Sequence, residues 1–231
     1  MSVPVAVFAS GGGSNLQALL NHEDSSLLWR VELVVSDRPA AGALDRARNA
    51  DRDAVVVSVK DRDPDEVAEE TLEALRTRGI GAVLLAGYLR LFPSAVIRAY
   101  PRRVLNIHPA LLPSFGGKGM YGRRIHEAVL TSGTKVSGVS IHYVDEQYDT
   151  GSMFAQWPVP VRPDDTPESL AGRVLAVEHL LYPLAMDHLA RAVADDREPG
   201  PFEYPGSAFI LAQDAPETEL ARQIRGAFRR R

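Results

Sequence analysis

Val3-Pro4-Val5-Ala6-Val7-Phe8-Ala9 runs directly into Ser10-Gly11-Gly12-Gly13-Ser14-Asn15 and then into Leu16, Leu19 and Leu20. The apolar run reads as a strand and the leucines as the buried side of a helix. Ser14 or Asn15 is placed to cap that helix. Strand, glycine loop and helix form the opening unit of an α/β domain, and the geometry aims free backbone N–H groups at an anion. Three adjacent glycines let a phosphate approach the backbone closely. The loop is neither G-x-G-x-x-G nor a P-loop ending in Lys-Ser/Thr, so a phosphomonoester fits it better than a dinucleotide or a nucleoside triphosphate. A glycine-rich turn without a ligand is the plainer alternative.

Outward from this unit the alternation repeats. Val31 to Val35, Ala54 to Val59 and Ala82 to Ala86 read as strands. Between them lie a helix with Leu44, Ala47 and Ala50 on one face, and a helix from Asp65 to Arg78 that buries Val67, Thr71, Leu72 and Leu75 and stops at Gly79. Val104 to His108 is the next strand, ended by Pro109, which has no N–H to continue a ladder. Alternation with short connections predicts a single α/β domain: a mostly parallel twisted sheet with right-handed crossovers and helices on both faces. A helix over Tyr121 to Thr131 and strands at Val136 to Val144 and Met153 to Val159 follow. A last helix is capped by Thr166, has Pro167 in its first turn, and carries Leu170, Val174, Val177, Leu181 and Leu184 toward the core. Residues 1–195 are expected to form the domain and 196–231, ending in the basic Arg225 to Arg231, a peripheral tail.

The formal net charge of -4 provides no global basic field, so neither nucleic acid nor an acidic membrane is an expected partner. The absence of cysteine removes disulfides, thiolate metal sites and cysteine nucleophiles. The histidines show no H-E-x-x-H spacing, and no metal is expected. Without a signal-like start or a run of about 18 apolar residues, the expected location is cytoplasmic. A homodimer remains open.

The chemistry concentrates in Asn106 and His108. Residues two apart on a strand share a face, so an amide and an imidazole converge at the strand's carboxyl end, where open parallel sheets bind ligands. That pair suits a reaction in which a carbonyl oxygen becomes an oxyanion while an amine proton moves. A strand end that only ties down the next loop is the alternative. The acidic turn Asp145 to Gly151 reads as a solvated turn, or as one whose carboxylate folds over His108 and raises the imidazole's pKa. Gly87 to Phe92 offers apolar side chains and the Arg90 guanidinium to a flat heteroaromatic ligand, or is an ordinary packed turn. His142 reads as a buried, satisfied histidine and Lys118 as a solvated loop cation. Glu178, on an otherwise apolar helix, should meet a hydroxyl or a cation.

Together, Ser10 to Leu16, Leu85 to Arg90, Asn106 to Pro113, His142 to Glu146 with Asp149 to Gly151, and Glu178-His179 with Tyr182-Pro183 resemble the phosphoribosylglycinamide formyltransferase family. The resemblance covers about residue 5 to about residue 190. It implies a Rossmann-like formyltransferase fold and transfer of a formyl group from 10-formyltetrahydrofolate, a co-substrate, to the amine of 5′-phosphoribosylglycinamide, in purine biosynthesis and without a metal. It implies catalytic positions at Asn106, His108 and Asp149. It further implies substrate contacts at Gly13, Ser14, Asn15 and Glu178, and a folate site at Leu89, Arg90, Leu91 and Phe92 with Asp145, Glu146, Gln147 and Tyr148. Leu175 departs from a position that often carries a polar substrate contact, and Lys60 to Asp65 departs from the pattern where an arginine often meets the folate tail, leaving Arg62 only a candidate. A formyltetrahydrofolate hydrolase-like enzyme and a non-catalytic phosphoribosyl-ligand binding protein are the rival readings. At 231 residues, no room is expected for the barrel domain of methionyl-tRNA formyltransferase or the regulatory domain of the hydrolase.

Overall fold

A computed structural model describes residues 2–200 and residue 202. The tail predicted for 196–231 therefore lies almost wholly outside the described residues. Seven strands form one sheet in the order β3-β2-β1-β4-β5-β6-β7. The strands are β1 (Val3–Phe8), β2 (Trp29–Ser36), β3 (Asp53–Val56), β4 (Ala82–Leu85), β5 (Val104–His108), β6 (Val136–Tyr143) and β7 (Met153–Pro160). The first five run parallel, and β6 and β7 return antiparallel. The predicted strands are all present. β2 starts earlier than expected, at Trp29, whose fully buried ring donates from Nε1 to Asp187 at 2.7 Å.

The helices are α1 (Ser14–Ser26), α2 (Gly42–Asn49), α3 (Pro64–Arg76), α4 (Ser94–Ala99), α5 (Arg123–Thr131) and α6 (Pro167–Ala194). On one face of the sheet, Ala6, Phe8, Leu33, Val83 and Leu85 pack with Val67, Leu72 and Leu75 of α3 and Val96 of α4. On the other, α6 packs against α1, α5 and β6. The buried apolar residues on strands and helices supply the hydrophobic driving force, roughly 1.5–3 kcal/mol for each large side chain.

Helix α6 opens as the sequence predicts, with Thr166 and Ser169 capping each other's backbone N–H and Pro167 in the first turn. Its buried stripe departs from the prediction at the end. Leu184 is 49% exposed, and Tyr182, Ala185, Met186 and Leu189 are buried in its place. The reason is the Tyr182 hydroxyl, which lies 3.0 Å from the carbonyls of both Leu85 and Leu105 and so holds that face of the helix on the ends of β4 and β5. No described helix is long and apolar enough to cross a membrane.

Candidate active site

The sheet order reverses between β1 and β4, and ligands in open α/β sheets bind outside the carboxyl ends of strands at that point. Here the two strand ends are tied together. Ser10 N–H donates to the Gly87 carbonyl at 3.1 Å, and Leu89 N–H donates to Ser10 Oγ at 3.0 Å. Gly13 sits in the left-handed region at φ 74, and a Cβ there would lie 2.8 Å from the Ala43 Cα, so only glycine fits. Neither Ser14 nor Asn15 caps α1, contrary to expectation. Both are inside the first turn, following Gly13, and the orphan N–H groups of that turn are left for a ligand.

These residues line a cleft of about 520 Å³ that continues past Gly87 and Leu89 to the end of β5. Glu178 stands across from the glycine loop, 6% exposed. It meets neither the hydroxyl nor the cation expected of it: its partner is the Asn15 amide, whose Nδ2 donates at 3.3 Å. Burial pushes its carboxyl up to about 7, against the lowering effect of that one hydrogen bond. Leu175 lines the cleft beside it, and exposed Lys118 lines it from the loop side.

At the other end, Asn106, His108 and Asp149 come together. The Asp149 carboxylate lies 3.7 Å from His108 Nδ1, accepts from the Gly117 N–H at 2.9 Å and lies 3.4 Å from Asn106 Nδ2. His108 Nε2 is 2.9 Å from the Phe115 carbonyl. A carbonyl only accepts, so Nε2 carries the proton and the Nδ1 lone pair faces Asp149 in the neutral ring. The expectation that Asp149 lifts the imidazole above its ordinary pKa is not met. Burial lowers it, His142 adds to the lowering, and the opposing pulls of Asp149 and the Phe115 carbonyl are smaller. Asp149 itself is pushed up by burial, but the His142 and His108 rings, in their protonated forms, and the Gly117 N–H together hold it below the usual carboxylate range.

His142 was legible only as a buried histidine, because alternation cannot reveal which strand it faces. The β5–β6 register sets it directly opposite Asn106. Its Nδ1 is 2.8 Å from the Tyr143 carbonyl and so carries the proton, leaving Nε2 to accept from Asn106 Nδ2 at 3.0 Å. Gly117 and Phe115 were missed for another reason: they act through backbone groups, which sequence does not distinguish.

The segments expected at the folate site are only partly assembled. Leu89 and Arg90 line the main cleft. Arg90, Leu91, Phe92, Asp145, Gln147 and Tyr148 surround an adjoining hollow of about 50 Å³, which shares Asn106, Tyr148 and Asp149 with the cleft and is by itself far below the several hundred Å³ of a ligand pocket. Phe92 is buried, edge-on to Phe8 with ring centroids 5.0 Å apart, and Arg90 is engaged with Asp37 at 2.8 Å. Glu146 is not among the residues lining the hollow; it is exposed and paired with Arg98 at 3.2 Å. Arg62 pairs with Glu70 at 2.5 Å, in a groove that Arg90 and Leu91 also line.

A family model described as Formyl transferase matches residues 3–186. The chain is 48% identical over 183 residues to a phosphoribosylglycinamide formyltransferase, chloroplastic, of Arabidopsis thaliana, covering 77% of this chain and 62% of that protein. It is 46% identical over 182 residues to the protein of the same name from Vigna unguiculata, covering 77% of this chain and 58% of that protein. It thus spans about 60% of the length of these curated relatives. Among solved structures, a phosphoribosylglycinamide formyltransferase of Bacillus halodurans superposes with a TM-score of 0.75 at 35% identity, covering 84% of this chain and 97% of that one. With its parallel sheet, its glycine loop and a family match over most of its length, the chain belongs to the formyl transferase family.

Proposed function

We propose that this protein transfers a formyl group from 10-formyltetrahydrofolate to the amine of 5′-phosphoribosylglycinamide, a step of purine biosynthesis. The observation that carries the reading is the Asn106–His108–Asp149 cluster at one end of the same cleft whose other end is the glycine loop at the start of α1. A phosphorylated amine held by its phosphate at Gly13, Ser14 and Asn15 and by its ribose at Glu178 extends toward His108. The names of the relatives point to the same acceptor.

His108 begins neutral, with its Nδ1 lone pair toward Asp149. It takes the proton that the substrate amine loses as the amine nitrogen bonds to the formyl carbon. The resulting imidazolium is paired with Asp149, which is ionised throughout the neutral range. The Asn106 amide, giving up its long 3.4 Å contact to Asp149, donates to the oxyanion, and the positive charge of the imidazolium stabilises it through space. The proton then passes to the folate nitrogen as its bond to the formyl carbon breaks, so one proton is moved and none is consumed. Leu89, Arg90, Leu91 and Phe92, with Asp145 to Tyr148, are the folate-facing segments in this reading, and the ring enters by displacing Tyr148, which borders both the cleft and the hollow.

The test is folate absorbance with 10-formyltetrahydrofolate, with and without phosphoribosylglycinamide, in wild type and His108→Ala. Turnover that requires the amine and falls about a hundredfold or more in the variant is expected. Amine-independent deformylation would identify a hydrolase instead, and binding without turnover a sensor.

A further inference from the structure

Three side chains lie in one row across the sheet. The register sets His108 of β5 against Ser140 of β6, and Ser140 against Gln156 of β7. Directly opposed residues of antiparallel strands share a face, so all three project the same way. Ser140 is fully buried, and its hydroxyl is saturated. It donates to the Ala110 carbonyl at 2.7 Å and accepts from the Leu112 N–H and from Gln156 Nε2, both at 2.9 Å. Gln156 Nε2 also donates to the Leu112 carbonyl at 2.9 Å. Both polar groups of the Leu112 backbone, and the carbonyl of Ala110, are therefore held from the neighbouring strands.

This clamp sits at the root of the loop that leaves the catalytic strand. Farther along the same loop, the Phe115 carbonyl accepts from His108 Nε2 and the Gly117 N–H reaches Asp149. Neither Ser140 nor Gln156 is among the residues lining the cleft, so any effect on chemistry passes through that loop. We propose that Ser140 and Gln156 are positioning residues: by pinning Ala110 and Leu112 they hold the Phe115 carbonyl on His108 and fix which imidazole nitrogen faces Asp149. The kinetic part of this inference rests on the formyl-transfer reading; the tautomer part does not.

The groups facing His108 are Asp149 after β6, His142 on β6 and His126 on α5. None of them touches Nε2 as the Phe115 carbonyl does. With the loop root released, the neutral ring is free to carry its proton on Nδ1, toward Asp149, and a ring in that tautomer cannot accept a proton there.

The experiment uses the full chain, labelled with 15N-histidine, as wild type, Ser140→Ala, Gln156→Leu and Ser140→Thr, with the His108 signal assigned by its loss in His108→Gln. Long-range 1H–15N spectra of the wild type are expected to show the Nε2–H form. Ser140→Ala and Gln156→Leu are expected to show a mixture of the two forms, with kcat down about tenfold and KM changed less than kcat, as for removal of a group that orients a functional histidine. Because the Phe115 bond favours the imidazolium, the acid limb of the kcat/KM profile should also move to lower pH in both variants. Ser140→Thr, which keeps the hydroxyl, should restore the spectrum and the rate. Should Ser140→Ala fail to fold, Gln156→Leu decides the matter, since it leaves the Ser140 bonds to Ala110 and Leu112 in place. A wild-type spectrum in a folded Gln156→Leu, or a rate loss without a tautomer change, would overturn the proposal. A wild type that ignores phosphoribosylglycinamide would sink the formyl-transfer reading and leave the tautomer result to stand or fall alone.

Discussion

Two carboxylates border the same cleft, and their surroundings drive them in opposite directions. Glu178, with the Asn15 amide at 3.3 Å as its hydrogen-bond partner, is pushed up to about 7. Asp149, also largely buried, is held below the ordinary range by two imidazoles and the Gly117 N–H, which outweigh the same burial penalty. Depth alone does not set the charge; the number and sign of the partners do. In the proposed reaction the difference suits two roles. A carboxylate that stays ionised can hold an imidazolium. One poised between its two states near neutral pH can meet a sugar hydroxyl as donor or acceptor without fixing a full charge close to a phosphate.

The largest expected effect comes from making the two ends alike. Asp149→Asn removes the charge that offsets an imidazolium at His108 and keeps the shape. kcat should drop by roughly 10²–10⁴ while KM for the phosphorylated substrate changes little, the signature of a group needed in the transition state. Steady-state kinetics settle it, and a variant that loses affinity but retains kcat would place Asp149 among the binding residues instead.

Glu178→Gln is the opposite experiment. Here kcat should hold and KM should rise about tenfold, the loss of one good hydrogen bond to the ribose. Stability gives a separate readout. Since the folded pKa is raised, the stability that Glu178 supports is fully present below its ordinary value near 4.5 and is lost as pH rises through about 7. Wild type should therefore lose on the order of 3 kcal/mol from this group between pH 4.5 and 8, and Glu178→Gln should not. Denaturant midpoints of both proteins at the two pH values measure it, the difference between proteins cancelling every other titrating group.

This contrast also marks what the sequence could reveal. The strands and the helices were legible because apolar runs and glycine punctuation report burial directly, as in Ala82 to Leu85, buried throughout. Asn106 and His108 were legible from their spacing on a strand that a proline ends. The partners that set their chemistry were not. His142 faces Asn106 only through the β5–β6 register, Phe115 and Gly117 contribute backbone atoms, and Glu178 finds an amide from the far end of the chain. Each depends on strand pairing or loop path, which no local pattern encodes. The misplacement of Leu184 has the same origin: the Tyr182 hydroxyl, anchored on two strand-end carbonyls, rotates the buried stripe away from it.

The smallest expected effect lies between the two carboxylates. Lys118 is exposed in the glycine-bearing loop, where it read as merely solvated, yet it lines the cleft shared by both ends. A flexible ammonium at such a site acts as a screened point charge on an anionic ligand, worth at most about 1 kcal/mol. Lys118→Ala should raise KM for the phosphorylated substrate about threefold at low ionic strength and by less at physiological salt, leaving kcat unchanged. Kinetics at two salt concentrations test this. A loss of kcat would mean that the lysine acts through Gly117, its neighbour in sequence, and hence on the Asp149 end; a salt-dependent change in KM alone keeps it with the phosphate and with Glu178.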